Sequence, residues 1–248
     1  MLDDIAIWLN HFENHATHPR SLPQGTDASL AGRERSLIAA SIATFQLGEC
    51  SQGRHLLAAA RTAAGPGPVV RVLELLVAEE RRHAELLGQF MDDHAIPRRR
   101  RHWSNSVFRA LRRLGGLQGA LSVLLSAELV GIVYYRALEC ATGCAQLRVL
   151  ARMLVADELV HVAFEAELLR ALWARRPALT LAACCLQRLL LGGTALAVWA
   201  SHRRVLRCAG HSARTFLRAC VEQYTFQLGR PLPRTALPDP HPLSARQR

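Results

Sequence analysis

The 248-residue sequence contains no lysine, and all 31 of its permanently basic side chains are arginine. Complete loss of one residue type marks compositional drift toward arginine, so the net charge of +11 is weak grounds for inferring an anionic partner. A solvated basic exterior is the plain reading; contact with nucleic acid or a membrane surface is the alternative. Aromatic residues are sparse at 6 %, while Leu, Ala and Val recur and Gly and Pro cluster between long uninterrupted stretches. That composition disfavours strands and predicts an all-α chain. The seven cysteines lack the spacing of a metal finger or a redox pair: Cys140 and Cys144 lie four apart, and Cys184 and Cys185 are adjacent. Reduced thiols in a cytoplasm fit them. No secretory signal opens the chain, because Met1 is followed by Asp3 and Asp4 and by no apolar run. The expected location is cytoplasmic, with a peripheral position at the inner membrane surface as the alternative.

What is present is a large apolar fraction, 50 % of residues, enough for a sizeable core. Residues 1–33 hold a short amphipathic helix, Leu2 to about Asn14, and a polar connection with Pro19, Pro23 and Gly25. Within 34–176 the 3.6-residue period predicts four long helices. They run from about Glu34 to Ala63, Val69 to Asp93, Leu117 to Ala141 and Gln146 to Arg175, each ahead of a Gly or Pro breaker. A link of roughly twenty residues separates the second from the third and holds the run Arg98 to Arg101 and a short basic helix, Ser106 to Arg113. Two antiparallel hairpins joined by one long crossover are expected, the connectivity of ferritin-like four-helix bundles. Residues 177–228 predict accessory helices, Leu179 to Arg207 and Ser212 to Leu228, and the Pro-rich tail 229–248 reads as disordered. The apolar stretch Leu189 to Ala200 falls short of the ~20 residues that span a bilayer. A buried fifth helix and a helix lying on a membrane through 179–207 both remain open.

Carboxylates interrupt the apolar stripe of all four long helices, and they do so in phase. The stripes read Ile38, Ile42, Phe45, Glu49, then Leu73, Leu76, Glu80, His83, Leu87, then Leu121, Leu125, Glu128, Ile132, Tyr135, then Leu150, Leu154, Glu158, His161, Glu165, Leu168. Glu49, Glu80, Glu128 and Glu158 each lie roughly eleven to fifteen residues from their helix starts, ~17 to 22 Å along the axis, so antiparallel hairpins bring them to one level. Unpaired buried carboxylates are too unfavourable for four to coexist, and no arginine lies beside them in these stripes. Two divalent cations would balance the four charges, with His83 and His161 as nitrogen donors.

The order Glu, Glu-x-x-His, Glu, Glu-x-x-His over about Glu34 to Arg175 resembles the ferritin-like di-iron carboxylate superfamily. The resemblance implies two iron ions, with Fe/Mn or Mn/Mn as alternatives. Glu80 and Glu158 would bridge them, Glu49 and His83 would complete one site, and Glu128 and His161 the other. It also implies that Glu79 and Asp157 accept hydrogen bonds from the ligating imidazoles of the neighbouring helix. Tyr135 and Glu165 share the core face one or two turns from these residues and could line a substrate pocket, with simple core packing as the favoured reading for Tyr135. Leu87 stands where ribonucleotide reductase small subunits carry their radical tyrosine, Leu154 where arylamine N-oxygenases add a histidine, and Arg81 where bacterioferritin carries its haem-binding methionine; rubredoxin-like Cys-x-x-Cys pairs are absent. A branch near the compact di-iron oxygenases remains. The expected activity is dioxygen activation by an oxidoreductase that hydroxylates an organic substrate with electrons from an external reductase. Peroxide reduction or ferrous oxidation is a second reading, and a metal-stabilised, non-enzymatic helical protein binding a membrane or nucleic acid is a third.

Overall fold

The computed structural model describes residues 4–22, 30, 32–50, 52–113 and 115–228, and among these it is an all-α bundle with no strand. The polar connection's Pro23 and Gly25 and the tail 229–248 lie outside the described residues. The helices are α1 (Ile5–Thr17), α2 (Gly32–Glu49), α3 (Arg54–Ala64), α4 (Pro68–Asp93), α5 (Trp103–Leu111), α6 (Gly116–Ala141), α7 (Ala145–Ala174), α8 (Pro177–Cys208) and α9 (Ala213–Leu228).

Polar contacts at one end of the bundle set its topology. The Leu30 amide, just ahead of α2, donates to His94 Nδ1 at 3.4 Å, and Arg35 near the start of α2 donates to the His94 and Ala95 carbonyls, just past α4. Glu34, also in the first turn of α2, accepts from Thr142 and the Gly143 amide just past α6, at 2.5 and 2.9 Å. Gln146, in the first turn of α7, meets His94 Nε2 at 3.2 Å and Asp93 at 3.4 Å. The starts of α2 and α7 therefore share an end with the finishes of α4 and α6. Both hairpins are antiparallel, and the chain must travel the full bundle length between α4 and α6, which it does through α5.

The sequence pattern predicts one helix from Glu34 to Ala63, and here the structure differs. The helix stops at Glu49 and restarts at Arg54, because Gly53 takes the left-handed conformation with φ +59°. A Cβ at Gly53 would lie 2.4 Å from Val77 Cγ2 of α4, so the chain turns where it meets a β-branched neighbour. Helical periodicity persists across the turn, with Leu56 and Ala60 still buried, which is why the break is hidden in the pattern.

The stretch Leu189 to Ala200 belongs to a 32-residue helix, so its shortness is no obstacle to spanning a bilayer. By length and composition α6 and α8 could each cross a membrane; the apolar window of α6 is 78 % buried and that of α8 only 22 %. One face of α8 packs inward through Leu191, Ala195, Val205 and Leu206, while Leu181, Leu189 and Leu196 are exposed. Buried polar contacts pin the inner face: Gln187 donates to Ser126 Oγ at 2.9 Å, and His202 Nδ1 meets Ser41 Oγ at 2.7 Å, which in turn meets the Tyr134 hydroxyl at 2.7 Å.

Gly53→Ala adds left-handed strain and a clash with Val77, and is expected to lower unfolding free energy by about 2–4 kcal/mol in urea titration. Burial, with the nearby charges of His102 and Arg99 adding, pulls the pKa of His202 from 6.5 down to about 3. The unfolded chain then binds the extra proton between these values, so stability is lost as pH falls below the unfolded value, by up to about 1.4 kcal/mol per unit. His202→Gln should flatten that acid slope in unfolding curves taken between about pH 4 and 7.

Candidate metal centre

The six side chains expected at the centre converge. Glu49 is the last residue of α2, Glu80 and His83 sit one turn apart on α4, Glu128 is on α6, and Glu158 and His161 are on α7. All six are at least 91 % buried, the two histidines completely. Their donor atoms fall into two groups, Glu49 with Glu80, His83 and Glu158, and Glu80 with Glu128, Glu158 and His161, each with ligand atoms within 4.8 Å of one another. Glu80 and Glu158 belong to both groups. These buried Glu and His groups could hold a metal ion.

The imidazoles are oriented. His83 Nδ1 points into the cluster, 3.5 Å from Glu158 Oε1 and 3.7 Å from Glu80 Oε1, and His161 Nδ1 lies 3.2 Å from Glu80 Oε1 and 3.7 Å from Glu158 Oε2. Their far nitrogens face outward across the helix pair, His83 Nε2 to Asp157 Oδ2 at 3.3 Å and His161 Nε2 to Glu79 Oε2 at 2.9 Å. A proton fixed on Nε2 leaves the Nδ1 lone pair aimed inward. Each imidazole thus leans on the acid that precedes the other helix's Glu-x-x-His motif.

The inward atoms are the ones without partners. Glu80 Oε1, His83 Nδ1, both oxygens of Glu128, Glu158 Oε2 and His161 Nδ1 are buried and make no hydrogen bond among the described residues. Their close approaches lack hydrogen-bond alignment. Orphaned donors of this kind are a large penalty unless a cation collects them. The acid–base state of the bare cluster reflects the same crowding. Burial, joined by the Glu80 and Glu158 charges, lifts the Glu49 carboxyl well above its ordinary range; burial, joined by Glu165 and Glu158, does so for Glu128. Burial alone would push a proton off His83, but the contact with Asp157 and the negative charges of Glu158 and Glu80 outweigh it and raise the imidazole to about 10.

Tyr135 and Glu165 both lie on this core. The Tyr135 hydroxyl donates to Glu49 Oε1 at 2.6 Å. Glu165 is fully buried with both oxygens unpartnered among the described residues, and burial drives its carboxyl toward the protonated form. It is a fifth interior acid beside Glu128.

Two features escape a helix-by-helix reading. The first is α1, whose Phe12 stacks on His161 with ring centroids 5.8 Å apart and whose His15 Nδ1 bonds Glu79. Arg20 pairs with Asp157 at 2.9 Å. The outward acids are thus held by residues some sixty or more positions away. The Trp8, Phe12, His15 spacing on one face of α1 was the available signal, but it names no partner. The second is the sidedness of the centre. Its histidine side is covered by α1, whereas Glu49, Glu80, Glu128 and Glu158 all border a cavity of about 100 Å³ that Phe108 of α5 and His202 of α8 also line.

Comparison of the chain with protein-family models, curated proteins and solved structures finds no match.

Glu128 provides a direct test of what the orphaned atoms are for. Glu128→Leu removes two unpartnered buried oxygens and should raise the stability of the chelator-treated protein by roughly 1–3 kcal/mol in urea unfolding, while lowering metal content. A destabilised variant that keeps its full metal content would contradict a ligand role.

Proposed function

We propose that the chain is a non-haem di-iron oxidoreductase of the ferritin-like kind that activates dioxygen to oxidise an organic substrate. The observation that carries the reading is the pair of donor groups sharing Glu80 and Glu158, most of whose inward atoms have no hydrogen-bond partner among the described residues. Glu49, Glu80, His83 and Glu158 would hold one ion, and Glu80, Glu128, Glu158 and His161 the other. Four carboxylates against two divalent ions leave little net charge in a buried interior. When bound, a ferrous pair supplies the electrons that reduce dioxygen, and an external donor restores them.

The chain's own residues do the rest. Asp157 and Glu79 hold the two imidazoles in one tautomer, and Arg20 and His15 hold those acids in turn. Tyr135 steadies Glu49 by its hydrogen bond and carries a proton within 2.6 Å of that carboxylate. Phe12, itself buried, stacks over His161 and covers that side of the cluster. The open carboxylate side favours an oxygenase over simple iron handling, since it leaves room for a substrate beside the ligands.

Purified protein is expected to carry about two iron ions per chain by elemental analysis, with Glu80→Ala and His161→Ala each lowering that content sharply. Unchanged stoichiometry in both variants would defeat the assignment. Added to the ferrous protein, dioxygen should be consumed without turnover of excess iron or peroxide; rapid turnover of either would move the function to iron or peroxide handling.

A further inference from the structure

A larger cavity, about 460 Å³, adjoins the small chamber over the carboxylates and shares with it the walls Glu80, Asn105, Arg112 and Leu124. Its size lies within the roughly 300–1,000 Å³ of pockets that enclose small organic ligands. Its depth is apolar, formed by the buried Leu56, Leu76, Val77 and Leu124, and ends at Glu80. The rim is the reverse. Arg54, at the start of α3, Arg109, on α5, and Arg113, just past it, are all exposed around the mouth, and Arg112 reaches further in. Among the described lining residues Glu80 is the only acid, and Arg54, Arg109 and Arg113 take part in none of the ion pairs found among the described residues. The break between α2 and α3 creates this mouth, since Cys50, Gln52 and Gly53 form part of its wall.

We propose that this cavity binds an organic phosphate, its phosphoryl group held by the guanidinium groups of Arg54, Arg109 and Arg113 and its apolar portion lying along Leu56, Leu76 and Leu124 toward Glu80. Several guanidinium groups around one opening repel each other unless an anion joins them, and planar multi-donor groups suit the oxygens of a phosphoryl group. The buried Leu56, Leu76, Val77 and Leu124 give a carbon chain an apolar surface that leads toward the carboxylate cluster. The inference rests on the di-iron reading for the fate of the inner end, and not for binding itself.

The test is calorimetric titration of the full chain, iron-loaded and chelator-stripped, with dodecyl phosphate below its micellar concentration. Dodecanol serves as the uncharged control. Saturable one-to-one binding is expected, weakened roughly 10- to 100-fold in Arg109→Gln/Arg113→Gln, with dodecanol affinity, circular dichroism and iron content unchanged. Hexyl phosphate and phosphatidic-acid vesicles are the two source arms: competition by the first assigns a soluble phosphate ester, and rim-dependent sedimentation with the second assigns a phospholipid headgroup. Equal dodecyl phosphate affinity in wild type and double variant overturns the proposal, as does rim-dependent binding of RNA without binding of the probe. Rim-dependent binding by a protein that takes up no iron would leave this inference standing and sink the oxygenase. Iron uptake and dioxygen consumption without rim-dependent binding would do the opposite.

Discussion

Five carboxylates and two imidazoles share one buried interior, and nearly everything else about the molecule is arranged around that fact. Charges of one sign cannot be gathered at such depth without multivalent counter-ions or retained protons. Their level is set by placing each acid near the middle of a long helix, or at the end of one in the case of Glu49, and by running the hairpins in opposite directions. Bringing them together is unfavourable for the bare chain, so the surrounding apolar packing on α4, α6 and α7 must outweigh it. A site maintained at the expense of stability is the usual mark of function over structure.

The centre has two unlike sides. On one, α1 closes over the histidines: Phe12 covers His161, and His15 and Arg20 hold the acids that orient the imidazoles. On the other, the cluster's carboxylates border open space that continues to an arginine-rich mouth. Rigid support behind and access in front suit a centre that must keep its geometry while small molecules come and go. The same turn at Gly53 serves both ends, since it terminates α2 just after Glu49 and opens the wall through which the cavity is reached.

Much of this was legible in the residues. The long helices follow from period and breakers, and Glu49, Glu80, His83, Glu128, Glu158 and His161 stand in phase on their stripes, so packing those stripes together gathers them with no further information. Glu79 and Asp157 were legible only by resemblance, since a position beside a motif does not say which neighbouring group it will meet. The extent of α8 was legible to within two residues at each end, whereas its capacity to cross a bilayer was missed because only its apolar centre, Leu189 to Ala200, was weighed against the span.

By itself the sequence determined the all-α class, the hairpin-crossover-hairpin order and the set of buried donors, because each is encoded in a repeat no longer than two helical turns. Only the tertiary structure decided that α2 ends where Gly53 meets Val77, that α1 covers the histidines, and that Arg54, Arg109 and Arg113 ring a single mouth. Those outcomes depend on side chains meeting across tens of residues of chain, and local periodicity holds no record of which surfaces will touch.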